Sequence, residues 1–232
     1  MRFPLDTIAI TVLTIACLAL FGKAWLADHP EHDPWAPLSL TDPPGWATAA
    51  KFAKLRGDHQ VCASFLERSD IATTPLPATG SGQCRREDRQ ILSSRLLAPR
   101  SPQATCAVDA GLAWWLEHGV QPAAQTIFRA RVVRIEHFGT ASCRRIAGGQ
   151  SWSEHATGNA IDISAFVLAD GRRVVVRTGW TGPADDAAFL RTVRDSACRS
   201  YATVLSPDYN AAHADHLHLD QASRSGGWTV CR

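Results

Sequence analysis

Two alternating segments, more than fifty residues apart, restrict what this chain can fold into. Asn159-Ala160-Ile161-Asp162-Ile163-Ser164-Ala165 places Ile161, Ile163 and Ala165 on one face of a strand and Asp162 and Ser164 on the other, because successive strand side chains point to opposite sides. His216-Leu217-His218-Leu219 sets two imidazoles against two leucines in the same way. With both apolar faces turned to the core, the carboxylate and the imidazoles look away from it. His155 lies upstream of Asp162 across Gly158, a residue free to take positive φ and fold the two side chains toward one ion. Imidazole nitrogen and carboxylate oxygen are the donor types that Zn²⁺ takes. A set of three protein ligands leaves one position open, as in catalytic zinc sites.

The residues Ser153, His155, Gly158, Ala160 and Asp162, followed by His216 and His218, resemble the LAS metallopeptidases. That group includes D-alanyl-D-alanine carboxypeptidases and dipeptidases, L-alanyl-D-glutamate endopeptidases and lysostaphin-type enzymes. The fuller runs 153–162 and 207–220 are similar to the bacterial extensin-like C-terminal domain family, over roughly residue 62 to the C-terminus. The resemblance implies zinc on His155, Asp162 and His218, Asp215 as general base, and His216 stabilising the transition state. His213 is an alternative ligand in place of His216 or His218, and reads as a loop histidine at the pocket rim. Ser153 and Arg144 are implied to contact substrate, with Arg145 competing for the arginine role. The base position holds Asp where many carboxypeptidase relatives carry Glu. The implied architecture is α+β, a small mainly antiparallel sheet carrying the metal, surrounded by helices. The implied activity is amide hydrolysis in peptidoglycan stem peptides or crosslinks. A non-catalytic zinc-stabilised module that binds cell-wall peptides or an envelope partner is the other class.

The rest of the chain supplies a setting. Residues 7–27 are apolar apart from Lys23, with Trp25 placed where an aromatic sits at the headgroup level of a membrane. The bulky Trp25 makes Ala24-Trp25-Leu26-Ala27 a poor cleavage site, so residues 1–27 read as an uncleaved single-span anchor in preference to a signal peptide. Arg2 favours a cytoplasmic start, which implies an inner-membrane protein with its C-terminal domain in the periplasm. Residues 28–45 hold Pro30, Pro34, Pro37, Pro43 and Pro44 and read as a spacer between the bilayer and a domain at 46–232. The net charge of +2 and the lack of a basic run with interleaved aromatics exclude a nucleic-acid partner.

Six of the seven cysteines lie beyond the anchor, and an even number in an exported domain predicts three disulfides. Cys143 and Cys198 flank the first motif and are paired in this reading. Helical spacing marks 46–56, 61–68 and 185–200. The strongest helix is 105–118, with Trp114 and Trp115 available to the core and Gly119 and Pro122 stopping it. Residues 73–83 read as loop and 131–138 as a strand with Val133, Ile135 and His137 alternating against Val132, Arg134 and Glu136. A hairpin turning at Asp170-Gly171 is expected over 165–176, and a short strand at 203–205.

Overall fold

The computed structural model describes residues 4–146, 148–224 and 228–232. Its first element, α1 (Pro4–Asp28), contains a 23-residue span, Asp6–Asp28, long and apolar enough to cross a membrane. None of that span is buried against the rest of the chain. A 3-10 turn, Pro30–His32, opens the Pro-rich segment, whose Leu38 is buried against the helices that follow. These are α2 (Thr48–Gly57) and α3 (His59–Arg68). Asp58 separates them and caps α3, its Oδ1 accepting from Gln60 N (2.8 Å) and Val61 N (3.2 Å).

Residues 73–83 are not all loop. They begin with β1 (Thr73–Pro75), which pairs antiparallel with β2 (Gln90–Leu92). Pro75 is tolerated because β1 is an edge strand of its sheet. After β3 (Leu97–Ala98), β4 (Gln103–Ala104) pairs with the other side of β2, closing a three-stranded sheet. Thr105 then caps α4 (Cys106–Trp115), its Oγ1 accepting from Val108 N.

Gly119 and Pro122 do not stop this helix. The chain widens into a π turn, Leu116–Val120, and continues as α5 (Gln121–Phe128). Pro122 follows directly on the π turn, where the i→i−4 ladder is already interrupted and a missing N–H is tolerated. Gly119 is packed so tightly that an added Cβ would overlap Ser196. The helix ends instead at Arg129, which takes the left-handed conformation (φ 57°).

The main sheet is built from β5 (Val132–Gly139), β6 (Ala160–Leu168) and β7 (Arg173–Val175). It continues, after α6 (Val176–Gly179) and α7 (Ala184–Ala197), with β8 (Thr203–Leu205), β9 (Leu217–Asp220) and β10 (Val230–Cys231). Its order is β10-β8-β9-β6-β5-β3, with β7 also on β6, and every pairing is antiparallel except β10 with β8 and β3 with β5. The molecule is thus mixed α+β with one apolar N-terminal helix. The alternation expected along β5 is broken by register shifts, so that Val132 and Ile135 are both buried while Val133 is left exposed.

One face of the sheet packs under α4, α5 and α7. Ile161, Ile163, Leu217 and Leu219 enter that core together with Trp115, Phe166, Phe189 and Val193. A second cluster, with Phe52, Phe65 and Trp114, joins α2 and α3 to the outer side of α4. Each fully buried aliphatic contributes about 1.5–3 kcal/mol. A one-residue slip of β6 or β9 would drive Asp162 or His218 into this core, so burial sets the register of the polar face as well.

Three disulfides staple the domain, Cys62–Cys106, Cys84–Cys143 and Cys198–Cys231. The pairing of Cys143 with Cys198 is therefore wrong. Strand β10 lies beside β8 and brings Cys231 to the end of α7, Cα–Cα 5.9 Å from Cys198, while Cys143 meets the 3-10 turn that ends at Cys84. Cys17 in α1 is the free thiol among the described residues.

Candidate metal centre

The polar face of β6 and β9 brings three donors together. Asp162 and His218 are direct cross-strand partners. His155 comes from the 3-10 turn Glu154–Ala156, whose chain returns into β6 through Gly158 at φ 77°. The space where a Cβ of residue 158 would lie is occupied by the Arg86 guanidinium, and the positive φ itself favours glycine there. Asn159 locks this turn to the end of β9. Its Nδ2 donates to Glu154 Oε2 (2.6 Å) and to the Gln221 carbonyl (3.0 Å), and its Oδ1 accepts from Thr105 Oγ1 (2.9 Å).

His155 Nε2 stands 3.1 Å from Asp162 Oδ1 and 3.1 Å from His218 Nδ1, and His218 Nδ1 stands 2.9 Å from Asp162 Oδ1. The three side chains are 3%, 13% and 10% exposed, which leaves little water to solvate any charge placed there. The outer nitrogens of both rings are spoken for. His155 Nδ1 donates to the Thr140 carbonyl (3.1 Å), and His218 Nε2 donates to Asp220 Oδ2 (3.1 Å). A carbonyl and a carboxylate only accept, so in the neutral rings the inner nitrogens present lone pairs. Two lone pairs and a carboxylate oxygen at this spacing repel one another unless a cation or an added proton lies among them. Ligands on a tetrahedral zinc with bonds near 2.0–2.1 Å stand roughly 3.3 Å apart, close to the triangle found here. The donor set therefore fits a metal ion, and its outer contacts are of the kind that orient histidine ligands.

Protons respond to the same arrangement. Burial opposes charge on both partners, yet the hydrogen bonds and charges of His155 and His218 hold the Asp162 carboxyl below its ordinary range. His218 is likewise disfavoured by burial as a cation, but Asp162 and Asp220 on either side push it up to about 9. His213, desolvated and facing His218 and His216, falls to about 4.

The other residues singled out from the sequence are placed around this triangle. His216 Nε2 lies 3.5 Å from Asp162 Oδ1, so both imidazoles of His216 and His218 face the same carboxylate. Asp215 Oδ1 accepts from the far nitrogen of that ring, His216 Nδ1, at 2.8 Å. Phe138 packs edge-on against His216 with ring centroids 5.9 Å apart. His213 sits at the rim, its Nδ1 hydrogen-bonded to Asn210 Oδ1 (2.7 Å) and outside the donor triangle. The positive charge of Arg144 is close enough to weigh on His213, whereas Arg145 donates to Gln150 and lies over the Trp152 ring. Ser153 is buried and its hydroxyl accepts from His155 N (3.3 Å), capping the turn. Beside the centre, a cavity of about 490 Å³ is lined by Arg86, Arg100, His137, Phe138 and Thr140, among others.

Asp220 and Thr140 were not singled out as site residues. Asp220 carried a signal, since two residues after His218 on a strand is the same face. Thr140 acts through its backbone carbonyl, which no side-chain pattern reveals.

A family model described as Extensin-like protein C-terminus matches residues 60–232. The chain belongs to that family. No curated protein and no solved structure gives a match to it.

Proposed function

We propose that this chain is a zinc-dependent hydrolase of peptidoglycan stem peptides or crosslinks, anchored in the inner membrane by α1 with its domain in the periplasm, and related in its site to the LAS-type metallopeptidases. The observation that carries the reading is the donor triangle of His155, Asp162 and His218, with both outer imidazole nitrogens engaged by acceptors. The three disulfides support an oxidising compartment, and α1 supports the anchor. Cell-wall peptides are amide polymers within reach of a domain so placed.

Zn²⁺ held by these three residues would polarise a scissile carbonyl and make water nucleophilic at neutral pH. The chain's own groups supply the proton transfers. His216 Nε2 faces the triangle, while Asp215 holds Nδ1 of the same ring, an arrangement in which a carboxylate orients a base. In this reading His216 accepts a proton from the attacking water and returns it to the leaving amine. Asp215 keeps the ring in the required tautomer and stabilises the imidazolium, in place of acting on the water itself. In this reading Arg144 meets a carbonyl or carboxylate of the substrate with two N–H donors. Phe138 and the adjoining cavity offer a wall and a groove for the peptide.

The test is incubation of the full-length protein, in detergent, with purified peptidoglycan, followed by mass analysis of released fragments. Cleavage that a chelator abolishes and zinc restores supports the hydrolase. Stoichiometric zinc with peptidoglycan bound but uncut replaces it with the binding module.

A further inference from the structure

Where α1 meets the domain, aromatic rings form a continuous stack. Trp25 stacks on His29 with centroids 4.4 Å apart and on His32 at 5.4 Å, and His32 stacks in turn on Trp46 at 5.7 Å. Trp46 belongs to the domain, just ahead of α2, so the stack crosses from the apolar helix into the folded body. Polar contacts reinforce it. Ala47 N donates to the Glu31 carbonyl (3.4 Å) and Trp46 N to His32 Nδ1 (3.3 Å). Lys51, buried beneath the segment, donates from Nζ to the carbonyls of Pro30 (2.6 Å) and Pro37 (3.3 Å), and Lys54 donates to that of Pro34 (2.8 Å). Gly45 approaches Glu31 so closely that a Cβ would overlap its carbonyl. The Pro-rich segment is thus fastened along its length to α2 and leaves no slack between α1 and the domain.

The span in α1 has 23 residues, about 34 Å at 1.5 Å per residue, slightly more than a hydrocarbon core of about 30 Å. In a bilayer crossed by this helix, Trp25 in its final turns lies at the headgroup level. Trp46 is one imidazole away from it and is 66% exposed. Trp35 is 78% exposed and follows His32 by three residues, at most about 10 Å of chain. Indole favours that layer because its body is apolar and its N–H polar. We propose that the domain is seated on the bilayer surface, with Trp46 and Trp35 inserted in the lipid headgroup layer beside Trp25. This rests on α1 spanning the membrane.

The experiment uses the full chain in vesicles of phosphatidylethanolamine and phosphatidylglycerol. A fluorophore is attached at the native Cys17, or, in a Cys17→Ser background, at Ala50→Cys near Trp46 or at Asp170→Cys in the β6–β7 turn; residues 50 and 170 are both exposed. Nitroxide on the lipid headgroup should quench the label at position 50 several-fold more than that at 170. Adding Trp35→Ala with Trp46→Ala, or separately Gly45→Val to open the clamp, should remove most of the difference. Nitroxide on the acyl chain should quench the Cys17 label in every case. Quenching at Cys17 with equal, weak quenching at 50 and 170 overturns the seat while leaving the anchor intact. A Cys17 label that acyl-chain nitroxide does not reach overturns the anchor, and the seat with it.

Discussion

Asp162 Oδ1 lies 3.1 Å from His155 Nε2 and 2.9 Å from His218 Nδ1, and neither the carboxylate nor His218 opposite it has an apolar reason to be where it is. Their position follows from Ile161, Ile163, Leu217 and Leu219 on the other face, which is why these two donors were legible as alternation in the sequence, whereas His155, on the Glu154–Ala156 turn, has no such period. Which of Asp215 and His216 faces the triangle was not legible, because both sit three or fewer residues from His218 and only the folded geometry orients them. That geometry predicts that His216→Ala keeps zinc and lowers turnover by about 10² to 10⁴, the usual worth of a positioned base. Asp215→Asn should also keep zinc and cost less than His216→Ala, with the loss concentrated in kcat. An Asp215→Asn variant slower than His216→Ala in peptidoglycan turnover would return the base to Asp215. A second residue-scale expectation concerns Asp109 in α4. Burial is the dominant influence on it and, with Asp88 nearby, raises its carboxyl to about 8 despite the hydrogen bond from Gln90. The folded protein therefore keeps a proton that the unfolded chain releases near pH 4, so stability from this group is complete below that pH and declines as pH rises toward 8. Asp109→Asn keeps the shape and an acceptor for Gln90. Its melting temperature should exceed the parent's at pH 8, and the advantage should shrink toward pH 4; thermal scans at the two pH values decide it.

At the scale of elements, helices such as His59–Arg68 and Ala184–Ala197 were legible because their apolar positions repeat with a clear period. The sequence misled where tertiary packing overrides a local stop signal. Gly119 reads as a helix terminator, but here it makes room for Ser196 of α7, and the π turn absorbs the mismatch. Gly119→Ala should accordingly destabilise the domain by about 1–3 kcal/mol, the cost of overpacking, where a solvent-exposed helical glycine would have given a small gain. Denaturant midpoints read the sign directly. Bulges in β5 were likewise invisible, since Val132 and Val133 are chemically alike and only the pairing with β6 decides which is buried. Disulfide number followed from composition, but connectivity depends on how β10 returns to β8, a long-range event without a local signature.

For the whole molecule, the disulfides close chain separations of 44, 59 and 33 residues, and each is worth about 2–4 kcal/mol by restricting the unfolded chain. The metal would tie the Glu154–Ala156 turn, β6 and β9 together, so chelation should lower the melting temperature and reduction should lower it further. Thiol counting on denatured, unreduced protein should find Cys17 alone; a second reactive thiol would break the three-bridge account. The central claim is that His155, Asp162 and His218 form a metal site, and elemental analysis of purified protein tests it most directly. The parent and the Asp215→Ala variant should each carry close to stoichiometric zinc, and the Asp162→Ala variant should carry little or none. Zinc retained by Asp162→Ala, or missing from a folded parent even after incubation with the metal, would contradict it.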